Sequence, residues 1–539
     1  MHKGKPLYFL VEGRKGFFGT SRRERLENRE RGGTMKKLFA LALALVMALS
    51  LLSGAMAEEN VLRYGVDADA AGGFDPHTIS AVASMRMIGQ MYNTLVDVDE
   101  NLNVIPELAT SWEQPDDTTY IFHLADNVTF HSGRRMTAED VKYSFERILD
   151  PAVGALGNSS SYVGDIDTVE AVDELTVKIT LKNINAPFLA NLSSSYCSIV
   201  DKDVVEANDG SLLLADGGTG PYTLGEWVPD NHVTVNAYAD YFDEAGKASF
   251  DAIEFYVMTD ASARLAALRT GAVDLIVADT AMLDLVEGDD SIQVVSYQSR
   301  NYTGLFLNVN RAPFDNPLVR QAVNLALDRE EIIEFAFNGK ATVSGFVPAS
   351  LGHWAVDVTE NEYYTQNIEK AKQLLAEAGY PNGFETNIIV GLLDSIRDTG
   401  LVVEQQLSEI GIKVNVQDVE RGQYLDAWNG HDFDIMVCQN GAGSDPSRAV
   451  AFFFKTGSSA NIQDYSNARV DELCELAVAT SDAAVREEYY KEAINIILDD
   501  CIVAIVASPQ EYFLASPALQ GFAPNASNAN NFAGVTLAK

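Results

Sequence analysis

The chain runs to 539 residues, 47% hydrophobic and 22% charged, a globular composition long enough for roughly two to four domains. A formal charge of −38 argues against nucleic acid and anionic lipid surfaces as partners. Acidity alone names no ligand.

The first readable segment is Met35–Ala57. Lys36 and Lys37 precede an uncharged apolar stretch from Leu38 to Leu52, and small residues follow up to Ala55-Met56-Ala57. That is a signal peptide over 35–57 with cleavage before Glu58. The stretch falls short of the about 20 residues a membrane span needs, so the mature protein is expected not to span a membrane. No cysteine neighbours the cleavage site, so no lipid anchor is expected, and the localisation is exported, periplasmic or extracellular. Residues 1–34 are basic and aperiodic; they read as a mis-assigned extension upstream of a true start at Met35.

Strands and helices then mix along the chain. Val61–Val66, Tyr120–Leu124, Leu175–Lys182 and Ile253–Val257 read as strands, the third with strict apolar–polar alternation. Thr137 to Asp140 forms a capping box ahead of Val141, Phe145 and Ile148 on one helical face. A helix over Ser262–Thr270 stops at Gly271 and meets a buried strand, Val273–Val277. Asn316-Pro317 caps a helix with Val319, Ala322, Val323, Ala326 and Leu327 as its stripe, and Asp328 caps the next. Ile368–Ala378 stops at Gly379. Helix Val402–Ile410, strand Ile412–Val416 and strand Phe433–Cys438 follow. Helix–Gly–strand units of this kind argue for α/β lobes with partly parallel sheets.

Catalytic signatures do not emerge. There is no HExxH, GxSxG or P-loop, and His77, His123, His131, His232, His353 and His431 form no metal-ligand spacing. His123 and His131 sit on neighbouring predicted strands and read as structural. Gly217-Gly218-Thr219-Gly220 lacks the Lys-Ser/Thr of a phosphate loop and reads as a tight turn. Cys197, Cys438, Cys474 and Cys501 form no CxxC. Cys438 and Cys501 lie in apolar runs, which favours buried thiols, with one or two disulfides left open.

Eight motifs, in order, resemble the family 5 bacterial extracellular solute-binding proteins of the dipeptide- and oligopeptide-binding type. They are Phe74–His77, Glu107–Trp112, Tyr120–Leu124, Val128–Gly133, Thr137–Arg147, Gly218–Tyr222, Leu307-Asn308 with Pro313–Ala322, and Asp328-Arg329 with Lys370–Pro381. The resemblance implies a two-lobed periplasmic-binding-protein-like α/β fold of type II, the large class with an extra subdomain in lobe I. It places lobe I at 58–100, 215–300 and 509–539, subdomain Ib at 101–214 and lobe II at 301–508. It implies a monomeric receptor of an ABC importer, without cofactor or metal, that passes a peptide or peptide-like solute to permease subunits. Nickel-chelate, opine or oligosaccharide cargo on the same scaffold stays open, and an exported hydrolase is the reading from another class.

Ligands of α/β sheets collect at the carboxyl ends of strands. Gln439, Asn440, Gly441 and Asp445, after strand Phe433–Cys438, are therefore expected as the lobe II wall. Gly72, Gly73 and Phe74 are expected from lobe I, with Tyr302 and Trp354 as flat apolar surfaces. In peptide-binding relatives a Trp-x-x-Asp element precedes the Asp-Pro, and its carboxylate holds the ligand's amino terminus. Here Gln439 and Ala442 occupy those places, so the resemblance leaves that carboxylate absent.

Overall fold

Strand Val61–Val66 (β1) carries Leu62, Tyr64 and Val66 as fully buried side chains, and it anchors the first lobe. The computed structural model describes residues 60–79, 81–155, 162–391, 393–526 and 530–538. The upstream extension and signal peptide read from the sequence lie outside the described residues. Among those described, no helix is long and apolar enough to cross a membrane.

A hairpin of Val96–Val98 (β2) and Val104–Pro106 (β3) follows the helix Val82–Met91. Ala109–Asp116 (β4), Thr119–Leu124 (β5), Ile166–Asp173 (β6) and Thr176–Leu181 (β7) form an antiparallel sheet in the order β4-β5-β7-β6. The helix Ala138–Leu149 packs on it, its Thr137–Asp140 capping box formed as expected. Their shared core gathers Leu95, Phe122, Phe145, Ile179 and Phe188.

The large sheet adds Tyr222–Val228 (β8), His232–Ala237 (β9), Ala252–Val257 (β10), Leu275–Ala278 (β11), Gln293–Gln298 (β12), Asn301–Leu307 (β13), Ala341–Thr342 (β14), Glu385–Val390 (β15), Lys413–Asp418 (β16), Ile435–Gly441 (β17) and Val503–Ala515 (β18). Its order is β16-β15-β17-β13-β18-β11-β1-β10-β9-β8, with β12 and β14 also on β18. β1 runs parallel to β10 and β11, and β15 parallel to β16 and β17; the other pairs are antiparallel. This is the mixed α/β architecture the helix–Gly–strand units predict.

Two connections join the lobes. One is β12 running into β13 through Ser299-Arg300; the other is β18, which pairs with β13 over Val503–Ala507 and with β12 over Gln510–Ala515. Where they pass each other, Ser508 Oγ donates to the Asn301 carbonyl at 2.8 Å and Ser299 Oγ to the Pro509 carbonyl at 2.8 Å. Tyr64, Phe74, Phe255 and Phe513 share one core; Tyr302, Phe346, Phe453 and Tyr490 share another; Leu307, Val323, Val403 and Val437 a third.

Two boundaries differ from the sequence reading. The helix predicted over Val402–Ile410 spans Asp394–Ser408, with Gly400 inside it. A Cβ there would lie 2.5 Å from Val390 Cγ1, so the glycine, which weakens the helical signal, is what lets helix and β15 approach. The strand predicted to end at Cys438 continues to Gly441, so Gln439, Asn440 and Gly441 belong to β17 rather than to a loop. They pair with Thr303, Tyr302 and Asn301. The glycines of Gly217–Gly220 serve close approach: a Cβ on Gly218 would stand 1.8 Å from the Met91 carbonyl.

Candidate functional site

The pairing of β13 with β17 brings Asn301 opposite Gly441 at the strand ends, and Ala442 N–H adds one more bond, 2.9 Å, to the Arg300 carbonyl. The chain then turns at Gly443 (φ 75°) and Ser444 into the short helix Pro446–Ala449. Across from this turn lies the segment after helix Phe188–Asn191, where Ser193 Oγ donates to the Ala190 carbonyl at 2.7 Å. Between the two walls is a cavity of about 290 Å³ lined by Asp97, Val98, Tyr162, Ala190, Asn191 and Ser193–Ser195 on one side and Arg300, Asn301, Gly441, Gly443 and Ser444 on the other. Segments far apart in the chain, 97–195 and 300–444, thus share one cavity.

Its polar groups are uneven. Arg300 Nη1 donates to Ser444 Oγ at 3.0 Å, and burial lowers the guanidinium pKa to about 10. Asp97 Oδ1 accepts from Val98 N–H at 2.7 Å, and burial raises its carboxyl pKa. Burial also raises the Tyr162 hydroxyl.

A larger cavity, about 660 Å³, opens elsewhere, lined by Gln90, Asn93, Asp97, Glu107, Tyr241, Lys247 and Asn531 among others. All its walls come from residues before Gly271 and after Ala529, so no residue between 271 and 529 lines it. Glu107 accepts from Asn93 Nδ2 at 2.6 Å and from Thr94 N–H and Oγ1 at 2.7 Å each. Burial, then the charge of Asp97, lifts its carboxyl to about 7. Among the described residues no group of His, Cys, Asp and Glu is arranged to hold a metal ion. His123 meets Glu113 at 3.4 Å, while His131 meets Asp216 at 2.7 Å, so the two histidines face different partners.

Of the residues the sequence singled out, Gly441 lines the cleft. Gln439 is part-buried, its Nε2 3.4 Å from Thr303 Oγ1, and Asn440 pairs with Tyr302 along the ladder. Tyr302 is fully buried, edge-on to Phe453 at 6.2 Å. Trp354 packs edge-on to Tyr490 at 6.1 Å beneath the Arg486 guanidinium. Asp445 turns into the same core: it caps Ser447 N–H and accepts from Arg486 Nη2 at 2.9 and 3.0 Å. Gly72 is exposed at φ 92°, whereas Gly73 and Phe74 are buried. Phe74 N–H donates to the Leu213 carbonyl at 3.1 Å and its ring meets Trp227 edge-on at 5.2 Å. The sequence reading did not select Asp97, Tyr162, Ser193–Ser195, Arg300 or Ser444. The available signal was Arg300 itself, an arginine two residues before the Tyr302 that the sequence reading did select, in a strongly acidic chain.

The model of the bacterial extracellular solute-binding proteins, family 5 Middle, matches residues 103–462. The heme-binding protein A of Haemophilus influenzae is 30% identical over 86% of this chain and 90% of its own. A glutathione-binding protein of Pectobacterium atrosepticum is 29% identical over 83% and 88%. Among solved structures, the ABC transporter-associated periplasmic binding protein DppA of Helicobacter pylori, in complex with a peptide, superposes with a TM-score of 0.77 at 29% identity, covering 89% of this chain and 98% of that one. With its eight ordered motifs, two-lobed sheet and interlobe cavity, the chain belongs to the family 5 bacterial extracellular solute-binding proteins.

Proposed function

We propose that the protein is the receptor of an ABC importer, capturing a peptide or peptide-like solute between its lobes and delivering it unaltered to permease subunits. The observation that carries this reading is the cavity walled by both lobes, lined with backbone and with hydroxyl, amide and guanidinium groups. The similarity to glutathione- and peptide-binding relatives supports the cargo class. Division into lobe I (58–100, 215–300, 509–539), subdomain Ib (101–214) and lobe II (301–508) is part of the proposal.

No reacting group is required. Solute enters while the lobes are apart; bending at the two crossings around Ser299 and Ser508 brings the walls together and removes water from the solute. The solute favours closure only by as much as it binds the closed form better than the open one.

The test is a melting-temperature screen on unfolded and refolded protein, freed of carried-over ligand. Its panel holds di- to pentapeptides, glutathione, opines, oligosaccharides and chelated nickel. A binder at 100 times its dissociation constant adds about 2.7 kcal/mol of stability, visible as a rise in Tm. A shift with peptides or glutathione, the compound recovered intact, supports the reading. A shift confined to sugars or chelates, or consumption of the compound, overturns it.

A further inference from the structure

The turn that Gly443 and Ser444 give to the cleft is held from behind by one side chain. Asp445, the next residue, accepts from Ser447 N–H at 2.9 Å and from Arg486 Nη2 at 2.9 and 3.0 Å. Arg486 lies on the helix Ala483–Asp499, and it and Asp445 are each more than nine-tenths buried. The rings of Trp354 and Tyr490, 5.3 and 5.6 Å from the guanidinium carbon, fix the plane in which its hydrogens point. A buried ion pair is held firmly only where further hydrogen bonds complete it, as the Ser447 N–H does here.

The same guanidinium reaches toward the opposite wall. Its Nε donates to the Ala477 carbonyl at 3.0 Å, and the carbonyl of the next residue, Val478, accepts the Ala186 N–H at 2.9 Å. Ala186 leads through Pro187 into the helix Phe188–Asn191, whose Ala190 and Asn191 line the cavity, with Ser193–Ser195 after it. Phe188 is fully buried, its ring 5.1 Å from that of Tyr120, and Arg486 is near enough to Tyr120 for its charge to oppose the rise of that hydroxyl's pKa. On the same segment Asn185 Nδ2 donates to Asp165 Oδ2 and Lys182 N–H to the Asp165 carbonyl, each at 2.8 Å, which ties in the stretch just after the lining residue Tyr162. One path of bonds thus leaves Ser444, passes through Asp445, Arg486 and Val478, and returns to the cavity at Asn191.

Resting on the receptor reading above, we infer that Arg486 is a positioning residue of the cleft, one that sets the spacing of its two walls without itself lining the cavity. A guanidinium suits the task because Nε–H and the Nη2 hydrogens lie on one rigid edge and serve two acceptors at once. A lysine ammonium is a single point on a flexible stem and cannot fix both. A binding site keeps its geometry only as well as the groups behind it are held.

Nitroxide labels at Asp167→Cys and Glu488→Cys, both exposed, report the spacing of the two segments in ligand-free protein by pulsed electron spin resonance. Arg486→Lys is expected to broaden the distance distribution of the labelled parent. Asp445→Asn, which keeps a side-chain cap for Ser447, is expected to broaden it less. Arg486→Lys is also expected to bind a di- to tetrapeptide library at least tenfold more weakly in calorimetry. In wild-type protein, which needs no variant to fold, the Ala186 amide is expected to exchange with deuterium slowly. A residue that merely stabilises its own core would lower the melting temperature of Arg486→Lys and leave the folded protein's distances as in the parent. That result overturns the inference and leaves the receptor reading in place, as does peptide binding at wild-type strength or an Ala186 amide that exchanges like one in an open chain. Wild-type protein that binds no peptide overturns the receptor reading instead, while the distance and exchange measurements still decide what Arg486 holds.

Discussion

The Ala186 N–H donates a 2.9 Å hydrogen bond to the Val478 carbonyl, joining the segment before helix Phe188–Asn191 to the end of helix Ala468–Val478. Leu102, on the β2–β3 turn, packs against the core of Tyr302 and Tyr490. Both contacts link the segment 101–214 to the segment 301–508. Leu102 stands at φ 67°, where asparagine is favoured over leucine, so Leu102→Asn removes apolar contact without backbone strain. Its expected effect is a loss of about 1–2 kcal/mol in cargo binding, roughly tenfold in Kd, with the ligand-free melting temperature unchanged. Calorimetry with the cargo found in the screen checks it.

Asp75, His77 and Arg147 form a buried network. Arg147 donates to Asp75 at 2.6 and 3.1 Å and to His77 Nδ1 at 2.8 Å, while His77 Nε2 meets the Ser198 carbonyl at 2.9 Å. Burial, reinforced by Arg147, lowers the His77 pKa to about 4. A histidine with a lowered folded pKa contributes stability above about 6.5 that is lost as pH falls toward 4. Asp75, also lowered through its bonds to Arg147, acts in the same direction at lower pH. Arg147→Met, which strands a buried carboxylate, is expected to cost about 3–5 kcal/mol, measured by urea unfolding at pH 7.

Glu107 runs the other way. Its folded pKa of about 7 lies above the ordinary carboxyl value, so its contribution is full below about 4.5 and is lost as pH rises through 7. Glu107→Gln is expected to remove that loss, making the variant gain stability relative to wild type between pH 5 and pH 8. Parallel pH profiles of Tm decide it; curves that stay parallel would refute it.

Cys197, Cys438, Cys474 and Cys501 are free and buried, and burial raises all four thiols, Cys438 and Cys474 to about 12. Folded protein is therefore expected to show essentially no rapid reaction with a thiol reagent at pH 8, and four equivalents after unfolding without reductant.

What the sequence displays well is local. Asn316 accepts from Leu318 N–H, Asp328 from Glu331 N–H and Asn367 from Lys370 N–H, each as the cap its residue type announces. The cleft is different in kind. Asp97, Tyr162, Ser193, Arg300 and Ser444 come from turns and strand ends far apart in the chain, and no periodicity links them. Asp445 and Trp354 look like ligand groups because they are polar-tipped or flat. Arg486, which engages both, lies 41 residues beyond Asp445, and only the fold brings it there. Gly400 misled in the opposite sense, since packing against Val390 overrides its poor helical propensity.

β18 lies between β13 on one side and β11 and β12 on the other, so it completes both halves of the large sheet. Among the described residues it is also the last long strand in chain order. Until Val503–Ala515 emerges, β13 and β11 each show an unpaired edge, and neither half can reach its final stability. Nascent chains therefore stay incompletely folded until that strand emerges, a state compatible with threading through a secretion pore. Premature termination before Val503 would leave two sticky edges on one molecule, a species prone to aggregation rather than a smaller working receptor.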